Sequence, residues 1–488
     1  VTDRRFWRLT GAAAVVGLIV RLLWVAWAAR QPAGIFVDPA RYLGYARQIV
    51  GGHGMVEPLT GDPTAYYPPG YPWFLGIVGW LASPFTDDIV AVATVVQAVI
   101  GSITCVLGAI VARRLAGNAA GVAAAVGLAL YPNLVFHTGA LLGETLYDGL
   151  FLAFLAVAVT GRWWHRPARE PARADAGAEA QSGAQAGADG APVVAADGAA
   201  AQRSASEPDQ AQAASGPSRF GLTGRALASG VLLGLAIMVR PISLAVVPVV
   251  LVCWWLAGRD LRTVARWSAA LLVGVAACIL PWTVRNAVRM HAFVPISTNT
   301  GDNLCIGHAD GATGAFVALD ACRTRYRYLD GLPAELGSDK AKTRIALKAI
   351  RQHPGREPWL TWRRFYFMWV RDGDHDGVIA VQSYRQDRWI APEDEASLMR
   401  VADYAYWAVC LGGVVGLGAL IWRRRPDGLL LVGSAVMTAA VPLAFFGDSR
   451  FKVPVIPLLI VAAACLLASP ERPTEAVATV GPNDPREA

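Results

Sequence analysis

Charge is what this sequence has least of. Only 17% of its 488 residues are Asp, Glu, Lys or Arg, against 54% hydrophobic residues, and its mean hydropathy is +0.38. A soluble chain of this length could bury a large core, but it would need more charge to cover its surface. No CxxC pair is present, so no zinc-site spacing exists. No GxGxxG or Walker element lies in a strand–helix context, which excludes an obvious nucleotide-binding domain. The net charge of +7 is not backed by a basic helix or an aromatic platform, so nucleic acid is not an expected partner.

What the chain does have is long apolar runs. Residues 89–112 contain no charged side chain, enough to cross about 30 Å of hydrocarbon at 1.5 Å per residue. Similar runs cover residues 9–29, 119–136, 141–160, 224–239, 242–257, 267–284, 401–422, 429–446 and 451–468. Arginines cluster between alternate runs, at Arg4, Arg5 and Arg8, at Arg113 and Arg114, at Arg162, Arg166 and Arg169, at Arg259, Arg262 and Arg266, and at Arg423, Arg424 and Arg425. The positive-inside rule puts those loops in the cytoplasm. The pattern predicts about ten crossings with both termini cytoplasmic. Ala26-Trp27-Ala28 imitates a signal-peptide cleavage site, but the first run is too long for one and Arg21 interrupts it, so a retained helix is expected. Residues 72–85 are apolar but short and read as an interfacial or re-entrant helix. Residues 161–220 are an Ala-, Gly-, Gln- and Ser-rich tract that cannot offset its chain entropy by burial and read as a disordered cytoplasmic linker.

This register gathers the unusual polar residues on the face opposite the arginine loops. Asp38 follows the first span, Glu144 and Asp148 stand four residues apart on one helix face, and Arg240, Arg285, Arg450 and Lys452 fall at the outer boundary. Charge at the edge of hydrocarbon is costly unless it pairs or serves a cavity. Arg285, alone at a helix end, reads as snorkelling to headgroups, whereas Arg240, at a proline turn between apolar runs, reads as functional. Asp38 precedes a proline and taken alone reads more readily as a turn opener than as a functional residue. Cys105, Cys253, Cys278, Cys410 and Cys465 lie in apolar runs, but Cys305 and Cys322 share one polar loop. If that loop faces an oxidising compartment, a disulfide between them is expected, with two free thiols as the alternative. In the same loop Trp359, Trp362, Tyr366, Trp369 and Trp389 could stack on sugars, yet the helical spacing of Trp362, Tyr366 and Trp369 favours packing or lying on the membrane.

Six short elements, in order, carry a resemblance. Asp38-Pro39-Ala40-Arg41-Tyr42, the Tyr67-Pro68-Pro69-Gly70-Tyr71-Pro72-Trp73 run, Gly143-Glu144-Thr145-Leu146, Val239-Arg240-Pro241, Pro295 through Gly307, and Arg450-Phe451-Lys452-Val453-Pro454 resemble elements of the GT-C glycosyltransferases. The nearest branch is glycosyltransferase family 39, which holds protein O-mannosyltransferases, together with the lipid A aminoarabinose transferases. The chain departs from it where Pro39 replaces a second adjacent acid and where Tyr67 stands in place of the lysine before Pro-Pro.

The resemblance implies an all-α membrane bundle of the GT-C type, with interfacial helices in the first outer loop and a small extracytoplasmic domain of mixed or mainly α structure. Its parts would be a transmembrane module at 1–160 with a catalytic first outer loop at 30–88, the linker at 161–220, transmembrane helices at 221–284, an outer domain at 285–400, helices at 401–468 and a tail at 469–488. The implied activity is inverting transfer of a sugar from a polyprenyl-phosphate donor to a lipid, glycan or protein acceptor. Asp38 would be the base, with Glu144 as second catalytic acid. Arg240, Arg450, Lys452 and Arg41 would hold the donor phosphate, and Tyr42, Tyr67, Tyr71 and Asp148 would contact substrate. A divalent cation near Glu144 is left open. The Ala- and Arg-rich composition points to a GC-rich bacterium, hence a plasma-membrane enzyme working on the extracytoplasmic side. A flippase of lipid-linked sugars is the alternative; it would place charge near the bilayer midplane, where only Arg21 lies, and repeated halves, which are absent.

Overall fold

The structure is a computed structural model that describes residues 1–32, 38–164, 221–323, 334–373 and 390–468. Residues 165–220 of the expected linker, the tail at 469–488 and Trp389 lie outside the described residues. Among those described, every regular element is helical, and pairing between extended segments is limited to two isolated bridges.

Helix ends follow local chemistry. After α1 (Asp3–Ala28), α2 (Asp38–Val50) and α3 (Gly70–Ala82), α4 (Ile89–Ala116) starts where the Asp88 carboxylate accepts the Ala91 N–H and stops at Gly117, whose φ of +90° suits only glycine. Then come α5 (Asn118–Leu130), α6 (Pro132–Phe136), α7 (Glu144–Val159), α8 (Leu222–Val239) and α9 (Val246–Leu256). Asp260 caps α10 (Leu261–Met290) by accepting the Thr263 N–H. The polar loop region holds α11 (Thr300–His308), α12 (Ala334–Gln352) and α13 (Glu357–Trp369), and the chain closes with α14 (Pro392–Trp422), α15 (Pro426–Ala440) and α16 (Ile456–Ala464).

Among the described residues seven helices are long and apolar enough to span a bilayer, or eight if the bent pair formed by α5 with 132–139 is one span. The ten runs expected from hydropathy are all helical, but three do not form a helix long and straight enough to span on its own. The third bends by 58° before Pro132, the fourth (α7) has only 16 residues, and the sixth opens as a 3-10 turn, Pro241–Ala245, before α9. A hydropathy window registers composition and misses backbone breaks. The breaks at Pro132 and before α7 are buried in protein, where such breaks are tolerated, whereas in the turn Pro241–Ala245 only Ser243 is buried. Two of them, the start of α7 and the Arg240 turn, supply residues of the site described below.

The bend has its own chemistry. Pro132 has no N–H to offer the Leu128 carbonyl. The buried Arg21 of α1 takes its place, donating to the carbonyls of Leu128 (2.9 Å) and Ala129 (3.0 Å) and to its own Gly17 (3.1 Å). The close pairing of α8 with α10 rests on small residues: a Cβ on Gly230 would come within 2.1 Å of the Leu271 carbonyl oxygen. Gly230→Ala is therefore expected to cost about 1–3 kcal/mol by forcing these helices apart, read as a lower unfolding midpoint of the purified protein. At one end of the bundle Arg113, Arg114 and Arg425 pair with Asp3 or Asp427. The polar loops gather at the other.

In the loop region Cys305 and Cys322 form a disulfide with 5.8 Å between their Cα atoms. Arg285 does not extend toward headgroups as its position suggested. It donates to the carbonyls of Thr64 (2.9 Å) and Met55 and lies over the Trp282 ring. Backbone carbonyls of the first loop hold the guanidinium better than an exposed boundary would. Glu335 of α12 completes the buckle, accepting from Thr64 Oγ1 (2.6 Å), the Ala65 N–H (3.0 Å) and Thr298 Oγ1 (2.5 Å).

Candidate active site

Asp38 opens α2 and Glu144 opens α7, so each carboxylate sits at a helix N-terminus, where the macrodipole favours negative charge. Arg450 links them. Its Nη1 donates to Asp38 Oδ2 at 2.7 Å, and its Nε donates to Glu144 Oε1. Arg240, in the extended residue that ends α8, donates to the same Glu144 oxygen. Two cations thus face two anions at the meeting point of four segments far apart in sequence. Glu144 is fully buried, whereas the Asp38 side chain keeps 33% of its surface. Among the described residues, Glu144 Oε2 has no hydrogen-bond partner.

Tyrosines frame Asp38. The Tyr67 hydroxyl donates to Asp38 Oδ1 at 2.6 Å. Burial, reinforced by the Asp38 carboxylate, pushes the Tyr67 phenol well above its ordinary range, and the same causes raise Tyr42. Both therefore remain neutral at physiological pH, and Tyr67 stays a donor. The Tyr42 ring packs against those of Tyr67 (4.8 Å between centroids) and Tyr71 (5.0 Å). Tyr71 is occupied structurally, since its hydroxyl donates to Gln97, whose amide holds the carbonyls of Thr138 and Ala140. Arg41 lies over the Tyr66 ring (4.6 Å) and pairs with Glu57 at 3.5 Å. Asp148 is buried one turn along α7 from Glu144, with its Oδ1 unpartnered among the described residues.

Lys452 does not join the cluster. It is fully buried, paired with Asp372 Oδ1 at 3.0 Å, and it donates to the carbonyls of Arg371 (2.6 Å) and Ser449 (3.3 Å). The expectation that it holds a donor phosphate is corrected on that ground: its charge is already matched inside the protein. Arg450 and Lys452 share the 3-10 segment Ser449–Val455, in which residues two apart are rotated by about 240°. Sequence reading missed Asp372 and Gln97, since neither belongs to a motif. A Gln within the uncharged apolar run 89–112 was the one available signal.

An apolar groove of about 780 Å³ runs between α3, α7, α8 and α10, lined by Pro69, Trp73, Leu146, Met238, Trp282 and Arg285 among others. Val239, the neighbour of Arg240, also lines it. Among the described residues no group of three or more His, Cys, Asp or Glu side chains is placed to hold a metal ion.

No protein-family model matches the chain, and no curated protein matches it in sequence. Solved glycosyltransferases do resemble it. The chain is similar to the oligosaccharyltransferase of Archaeoglobus fulgidus in its apo form (14% identity, 95% of this chain, TM-score 0.48). It is also similar to the archaeal oligosaccharyltransferase AglB from Archaeoglobus fulgidus in complex with an inhibitory peptide and a dolichol-phosphate (13% identity, 94% of this chain, TM-score 0.46). ArnT from Cupriavidus metallidurans bound to undecaprenyl phosphate is similar over 95% of this chain and 78% of its own (16% identity, TM-score 0.41). The chain spans about half the length of the archaeal protein, 50% in both of these structures.

Proposed function

We propose that the chain is an inverting glycosyltransferase that moves a sugar from a polyprenyl-phosphate donor to an acceptor hydroxyl or amino group on the extracytoplasmic side of a bacterial plasma membrane. The observation that carries this reading is the Asp38–Arg450–Glu144–Arg240 cluster, beside an apolar groove whose lining includes Val239, the chain neighbour of Arg240. A sugar on a lipid phosphate needs three things together: a groove for the isoprenoid, cations for the departing phosphate, and a base for the acceptor. In this reading the groove takes the lipid tail. Asp38, the more exposed carboxylate, removes the proton from the acceptor group as its oxygen or nitrogen attacks the anomeric carbon. The anomeric carbon–oxygen bond breaks from the opposite face, and the polyprenyl phosphate leaves with the electron pair. Arg240 and Arg450 stabilise that growing charge in a dry site. Glu144 holds both arginines in place. The reading keeps the domain boundaries expected from the sequence and takes the linker and both termini as cytoplasmic.

The flippase alternative is the less favoured reading. The midplane charge it would use, Arg21, is bound to the carbonyls freed at the α5 bend.

The test is transfer by the purified full chain in detergent, with a panel of polyprenyl-phosphate sugars and detection of released polyprenyl phosphate. Lipid-phosphate release that depends on an acceptor supports the reading. Movement of labelled lipid across vesicles without any release would replace it by the flippase. Tyr67→Phe is expected to lower turnover by about tenfold, the worth of one hydrogen bond to a charged group, without changing the folding midpoint by a comparable amount.

A further inference from the structure

The helix α13 has two faces of opposite character. Leu360, Arg364 and Met368 are buried toward the loop domain, and Arg364 donates to the carbonyls of Gly307 and Leu443. On the other side Trp359, Trp362, Phe365 and Tyr366 are exposed, with Trp362 61% accessible. Phe365 stacks between Trp362 and Trp369, with centroids 5.9 and 6.2 Å away. The one basic side chain flanking this face, Arg363, is folded over the rings of Phe367 and Trp359. A contiguous aromatic patch of this kind is rare on a surface that meets only water.

The neighbouring span sets its depth. Along α14, Tyr404, Trp407, Leu411, Val414, Val415, Ile421 and Trp422 are exposed. From Tyr404 to Trp422 the rise is about 27 Å, close to the thickness of the hydrocarbon core, with aromatic residues at each end as in interfacial belts. The last turn of α13 is tied to the upper belt: the Tyr406 hydroxyl donates to the Trp369 carbonyl at 2.6 Å, and Trp407 Nε1 donates to the Val370 carbonyl at 3.4 Å. The aromatic face of α13 is therefore continuous with the lipid-facing side of α14.

We propose that α13 is a monotopic helix whose aromatic face is seated in the headgroup–acyl boundary of the bilayer the protein spans. The loop domain then rests on the membrane. Trp and Tyr suit that layer because their rings are apolar and their N–H or O–H tips are polar.

Nitroxide labels on the full chain in lipid nanodiscs test this. Cysteines would be placed at Trp362→Cys and Phe365→Cys in a background lacking the five free cysteines, with Cys305–Cys322 kept. The expected ratio of relaxation by oxygen to relaxation by a nickel chelate at both sites is several-fold above that of Lys348→Cys on exposed α12, and approaches that of Leu411→Cys on α14. Labels as open to nickel as Lys348→Cys would overturn the proposal and leave the face for a soluble partner. If either variant fails to fold, Trp359→Cys and Tyr366→Cys report on the same face.

Discussion

Asp38→Asn is expected to lower turnover by about 10²–10⁴-fold, the range for losing a positioned general base, with little change in KM for the lipid-linked donor. The amide keeps the shape of the side chain and an oxygen for the Tyr67 hydroxyl. What disappears is the negative charge that accepts a proton and pairs with Arg450 at 2.7 Å. Arg450 still has Glu144, and Arg240 is untouched, so the cations proposed to meet the donor phosphate stay in place. Full steady-state kinetics separate the two effects, since a base acts on kcat and a binding group acts on KM. Turnover near that of the wild type would remove Asp38 from proton transfer and turn attention to the buried Glu144.

Lys452→Met is expected to destabilise the fold by about 3–5 kcal/mol, the cost of stranding a buried charge. Its partner Asp372 is as deeply buried as the lysine and, among the described residues, its carboxylate would keep only the Tyr131 hydroxyl at 2.6 Å. Asp372→Leu in the same chain should recover much of the loss, because an apolar pair of similar volume needs no hydration. Denaturant titration in detergent measures both. A loss below about 1 kcal/mol for the single variant, the value of an exposed pair, would mean that water reaches the pair. The single variant should also lose turnover, because Lys452 ties the segment carrying Arg450 to the Arg371–Asp372 turn.

The bundle was legible because crossing hydrocarbon demands long apolar runs, and the arginine clusters marked their register. Asp38, Glu144, Arg240 and Arg450 stood out as charges at helix boundaries with motif context, and the structure brings these four together. Lys452 shared every one of those signals and still faces elsewhere. Its direction is set by the 3-10 geometry of its segment and by Asp372, a residue in a polar loop with no pattern around it. Arg285 was misread for a related reason. The carbonyls it binds belong to a loop more than two hundred residues earlier, and no spacing rule connects them. Tyr71 lay within a recognisable run, but its hydroxyl is committed to Gln97, a pairing set by helix packing.

Arg21 and Pro132 form a reciprocal dependency with evolutionary consequences. A guanidinium surrounded by apolar helices is tolerated because the proline leaves carbonyls without donors, and the break is tolerated because the guanidinium satisfies them. Each residue without the other is a defect: a stranded cation in one case, orphaned carbonyls in the other. Neither could have been gained or lost independently at low cost, so the two positions are epistatic. A recombinant joining α1 from one homologue to α5 from another should tolerate the exchange only when both members of the pair come along.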